Sequence, residues 1–107
     1  MKVYLGTEIK LNLNIEKIGS HSMSDYDFTV EVFCNPTKKL TIEKDNPSLI
    51  KKDDDDNYIL LIDTETIGIG KVKLQVTAHI PDQDFPDQLR TEVQIVNTDI
   101  EVIKRVI

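Results

Sequence analysis

At 107 residues the chain is sized for one domain, residues 1–107, built on one core. Thirteen basic against nineteen acidic residues leave a net charge of -6, which argues against a nucleic-acid backbone or an anionic membrane as partner. A lone cysteine, Cys34, excludes an intrachain disulfide, and charged residues interrupt every hydrophobic stretch well short of a signal sequence or a membrane span. The expected location is the cytoplasm of the producing cell, unless a larger assembly carries the chain out.

Taken in chain order, Lys2 to Leu5 reads as a short extended piece and Gly6 allows a bend. Ile9, Leu11, Leu13 and Ile15 then alternate with Lys10, Asn12, Asn14 and Glu16, the period of a half-buried strand. Gly19 to Asp25 is small, polar and aperiodic, and reads as a loop. Tyr26 to Cys34 is the next strand, with Phe28, Val30, Val32 and Cys34 inward and Asp27, Thr29 and Glu31 toward water. Asn35-Pro36 ends it, because proline has no donor for a ladder. Leu40 to Lys44 and Ser48 to Lys51 are short strand candidates around the turn at Asp45-Asn46-Pro47.

Lys51 to Asn57 packs four aspartates, Asp53 to Asp56, into a solvated tip. Tyr58 to Ile62 is a continuous apolar run, as expected of a strand covered on both faces or near the centre of a sheet. Asp63 to Gly68 has a cap and a glycine stop for one short helical turn. From Lys71 onward Val72, Leu74, Val76, Ala78 and Ile80 alternate with polar residues, and Leu89, Thr91, Val93 and Ile95 do the same beyond the loop Pro81 to Gln88. Pairing Ile80 with Leu89 predicts Val76 opposite Val93 and Leu74 opposite Ile95 on one apolar face. Asn97 to Asp99 bends the last strand before Ile100 and Val102 resume the alternation. The fold class expected is an all-β, immunoglobulin-like antiparallel sandwich of about seven strands, with at most one short helical turn.

Chemistry is thinly represented. His21 and His79 are the only imidazoles, one in a loop and one on the polar side of a strand, and neither sits in a nucleophile pattern. Asp53 to Asp56 and the set Asp82, Asp84 and Asp87 are oxygen-rich, but they lack the spacing and glycine of an EF-hand. Gly68-Ile-Gly70 lacks the rest of a phosphate loop and reads as two backbone turns. Cys34 reads as a buried, inert thiol. Phe85 stands exposed in its loop, either to anchor a partner or, the commoner use, to fold back over the open end of the sandwich. Arg90 is placed to pair with Asp82, Asp84 or Asp87. No catalytic, cofactor-binding or metal-binding residue is assigned, and no cofactor is expected.

One resemblance spans most of residues 25 to 96. Asp25-Tyr-Asp-Phe-Thr-Val-Glu-Val-Phe33, Asn57-Tyr-Ile-Leu-Leu-Ile-Asp63, Thr64-Glu-Thr-Ile-Gly-Ile-Gly-Lys-Val-Lys-Leu-Gln-Val76 and His79-Ile-Pro-Asp-Gln-Asp-Phe-Pro-Asp-Gln-Leu-Arg-Thr-Glu-Val93 come in an order similar to small immunoglobulin-like domains of tailed-phage and prophage structural proteins, including the N-terminal domain of baseplate upper proteins. The last two segments carry most of its specificity. The baseplate proteins usually continue into long C-terminal regions that have no counterpart in this chain. The resemblance implies assembly with other protein subunits, by self-association or in a virion, and no catalysis. The alternative function is a ligand-binding sandwich that holds carbohydrate or calcium at its acidic loops.

Overall fold

The computed structural model describes residues 1–14 and 21–107. Ile15 and Glu16, and the start of the loop expected from Gly19, lie outside the described residues. The described residues form eight strands: β1 (Lys2–Tyr4), β2 (Glu8–Asn14), β3 (Asp27–Asn35), β4 (Lys38–Glu43), β5 (Ile50–Lys52), β6 (Asn57–Asp63), β7 (Gly70–Pro81) and β8 (Leu89–Ile103). They make two sheets, a five-stranded one in the order β1-β8-β7-β3-β4 and a three-stranded one in the order β2-β6-β5. Only β1 runs parallel to its neighbour, β8; the other pairs are antiparallel.

This is the arrangement of an immunoglobulin-type sandwich, in which the third, seventh and eighth strands form one layer and the second, fifth and sixth form the other. The alternation read from the sequence supplies the two inner faces. Phe28, Val30 and Val32 of β3 and Val72, Leu74, Val76, Ala78 and Ile80 of β7 face Leu11, Leu13, Tyr58, Leu60 and Ile62 of the smaller sheet, and all belong to one buried cluster. At its centre the Phe28 ring meets Tyr58 edge-on at 5.2 Å and Tyr26 at 6.4 Å, a geometry that aromatic quadrupoles favour. The apolar run of β6 is explained by its place between β2 and β5, with Ile59 and Leu61 half-buried on the outer side.

Among the described residues, two 3-10 turns join the strands. Thr64–Thr66 is the turn expected after Asp63, whose side chain accepts from Glu65 N; Gly68 ends the unit at φ +82. The second, Met23–Asp25, falls in the stretch read as plain loop, and it sends Met23 into the core. Lys44 fastens it: its ammonium lies 5.6 Å from the Phe28 ring centre and donates to the carbonyls of Ser24 and Tyr26 at 3.1 and 2.5 Å. Burial of that amine pulls its pKa down. The strand expected at Ser48 to Lys51 is shorter and later, because Asn46 accepts from Leu49 N and Ile50 N and keeps the chain turning until Ile50.

The register of the long hairpin is corrected by the structure. Leu89 lies opposite Pro81, and Ile80 faces Arg90, one residue away from the pairing expected from alternation. Val76 therefore meets Gln94, and Leu74 meets Val96. The turn sets this slip: Asp82 N donates to Gln88 O, Gln88 takes a left-handed φ of 61, and β8 leaves the turn with Leu89 pointing outward. A hydrophobic pattern dictates register only where one face is buried, and this half of β8 is not covered. The buried apolar residues of β8 are Ile100 and Val102, beyond a bulge where Thr98 Oγ1 donates to Val72 O.

Candidate interaction surface

The slip turns Leu89, Thr91, Val93 and Ile95 onto the outer face of the larger sheet, beside Gln75, Thr77 and His79 of β7. Leu89, Val93 and Ile95 are 41, 57 and 63% exposed, and on the opposite face Val96 is 37% exposed. Large aliphatic side chains expected on the apolar face of the hairpin are thus presented to solvent on one strand. That strand is also an edge. β7 pairs with β8 from Leu89 to Asn97 and again, past the bulge, at Glu101 and Val102, but on the other side β1 reaches only Glu101 to Ile103, with the Met1 amine adding a bond to Asp99 O. Among the described residues, Leu89 to Thr98 consequently has no strand on its second side, between the hairpin turn and the start of β1.

The other edges of the described sheets are guarded. β4 carries Lys38, Lys39 and Glu43, with Lys39 bound to Glu31 at 2.6 Å. β2 exposes Glu8 and Lys10, while β1 and β5 are three residues long and bear Lys2, Lys51 and Lys52. Short strands and charges are the usual means of discouraging edge pairing. In β8, Val93-Gln-Ile-Val-Asn-Thr98 has no charge, proline or glycine, a composition that favours added strands. Arg90 and Glu92 precede it, and both are engaged: Arg90 Nη1 lies 3.0 Å from Asp82 Oδ2 and its Nε lies 3.3 Å from Glu92 Oε1. The pairing expected of Arg90 is therefore with Asp82. Phe85, at the turn, is 43% exposed and lies on neither sheet.

The remaining singled-out residues do not converge on a reaction centre. His79 Nδ1 lies 3.2 Å from Thr91 Oγ1 on the outer face of the sheet, and His21 is half-buried on the far side of the chain order, before β3. Cys34 is half-buried at a bulge in β3, facing Gly70, and burial raises its thiol pKa. In the four-aspartate tip, Asp54 accepts from Asn57 Nδ2 and Asp56 N, which holds its carboxyl below the usual range, and Asp55 pairs with Lys52 at 3.0 Å. Among the described residues, no three His, Cys, Asp or Glu side chains form a group suited to a metal ion, and no helix is long and apolar enough to cross a membrane. A groove of about 350 Å³ runs along the outer side of β2 and β6 between Lys10, Leu49, Leu61 and Asp63.

No family model, curated protein or solved structure matches this chain. The fold and the open strand are therefore the observations from which its role must be read. Sequence reasoning missed the surface because it paired Val93 with Val76 and Ile95 with Leu74 on one face, a register that the structure replaces. The signal available was the uncharged run Val93 to Thr98 in a strand whose partner on the second side was not identified.

Proposed function

We propose that this protein is a non-catalytic interaction module, a phage or prophage virion component associated with the tail or baseplate, that assembles with other protein subunits through its sheet edges and loops. The observation that carries the reading is the unguarded edge of β8 with its exposed Leu89, Val93 and Ile95. Strand addition to such an edge supplies main-chain hydrogen bonds for affinity and alternate side chains for specificity. Repetition of a weak contact in a particle multiplies its strength, and a net charge of -6 keeps free copies apart before assembly. The sandwich and the ordered segments between residues 25 and 96 support the virion setting.

Use of the acidic loops as calcium sites has less support, because the Asp54 oxygens are taken by Asn57 and Asp56, and Asp82 is held by Arg90. The test is to purify particles from the induced source strain and to quantify this chain in them by mass spectrometry. The expected result is a fixed copy number per particle. Recovery only in the particle-free fraction overturns the virion reading.

A further inference from the structure

We infer that the β8 edge is completed by a second copy of the same chain, its Leu89 to Thr98 segment lying antiparallel against its twin across a two-fold axis. The inference deepens the assembly reading and rests on it. Three observations select this occupant. The first is length. The open stretch runs for ten residues between the turn that ends at Gln88 and Asp99, where the Met1 amine begins to cover the strand, so its midpoint falls between Val93 and Gln94. An antiparallel twin centred there fills the gap from end to end, whereas a parallel strand or a displaced one meets β1 or the turn.

The second is side-chain matching. A two-fold axis normal to the sheet keeps outer residues beside outer residues, so it must pass through one residue of each strand. Through Gln94 it sets Val93 beside Ile95 on the outer face and Glu92 beside Val96 on the inner one; through Val93 it sets Val93 beside itself, Thr91 beside Ile95 and Glu92 beside Gln94. Neither places like charges opposite each other. An axis through Glu92 does, by facing that carboxylate with its own copy, and it is rejected on that ground. The third is selectivity: each alternative edge among the described strands presents lysine or glutamate, which leaves β8 as the described strand where two identical molecules meet without repulsion. The product is a closed pair with a sheet continuous across the axis.

The experiment is sedimentation of the full chain from about 1 μM to 1 mM, a range that spans the weak contacts on which repeated assembly relies. The wild type is expected to pass from monomer to dimer, and the double variant Val93→Lys, Ile95→Lys to stay monomeric or to dimerise at least about tenfold more weakly. Ile69→Lys, a charge at an exposed aliphatic residue off this strand, is expected to change nothing. All three side chains are exposed, so melting temperatures should match. In a Cys34→Ser background, Gln94→Cys or Val93→Cys should form a disulfide dimer, because a residue on the axis faces its twin at about 4.5–5.5 Å between Cα atoms. Dimers that survive the two lysines, or the failure of both cysteines to cross-link, overturn the β8 contact while leaving assembly by another surface intact. A wild type that stays monomeric throughout overturns self-pairing, and the particle assay then decides the assembly reading independently.

Discussion

Tyr26 shows how one polar atom can work against the fold that buries it. Its ring packs edge-on against Phe28 and is 3% exposed, yet its hydroxyl has no hydrogen-bond partner among the described residues. A buried unpaired hydroxyl costs about 1–3 kcal/mol. Tyr26→Phe keeps the ring and removes that cost, so urea titration at pH 7 should find the variant more stable by about 1 kcal/mol. Burial first, then the carboxylates of Asp56 and Glu92, raise the phenol pKa above its ordinary value near 10. A raised pKa means that the native state holds its proton after the unfolded chain has released it, so the stability present below pH 10 drains away as pH rises further. The advantage of Tyr26→Phe should therefore widen between pH 9 and 11; a constant gap counts against the ionisation account. Tyr58, also raised by burial, leaves an alkaline slope in both proteins.

Among the elements, the turn after β6 does more than reverse the chain. Thr64 is fully buried, its hydroxyl donates to Thr7 O and accepts from Gly6 N, both at 2.8 Å, and so it ties the β1–β2 bend to the end of β6. Thr64→Val preserves the shape and deletes both bonds, at an expected cost of about 2 kcal/mol in chemical denaturation. An Asp or Thr cap and Gly68 as the stop were readable from residue type alone, and the structure selects Asp63. The role of Thr64 was not, since its partners lie 57 and 58 positions away in the chain. The same holds for Met23, whose burial depends on a turn held by Lys44 from the far end of β4.

For the whole molecule, order and exposure should divide along the sheets. β3, β7 and β6 are interior strands covered by the shared core, while the first half of β8 has one paired side and little cover. Hydrogen exchange of the dilute protein should leave amides of β3, β6 and β7 protected longest. About half of those from Arg90 to Asn97 should exchange quickly, because alternate groups of an edge strand point to solvent. Raising the concentration should slow that half alone, since pairing across the edge protects no other segment. Uniform protection of β8 in the monomer would show that something within the chain already covers it.

Periodicity by itself determined the class of fold and most of the core, because a side chain two positions from a buried neighbour in a strand is driven to the same face whatever the rest of the chain does. That logic placed Phe28, Val30, Val32, Val72, Leu74 and Val76 inside, and the apolar run of β6 at a sheet centre. It failed for Leu89, Val93 and Ile95, since alternation tells which residues share a face but not whether that face is covered. Coverage depends on how many strands the second sheet contributes and on where β1 stops, and these are matters of long-range pairing. Only the tertiary structure could therefore turn a stretch that looks like core into an exposed, unpaired edge.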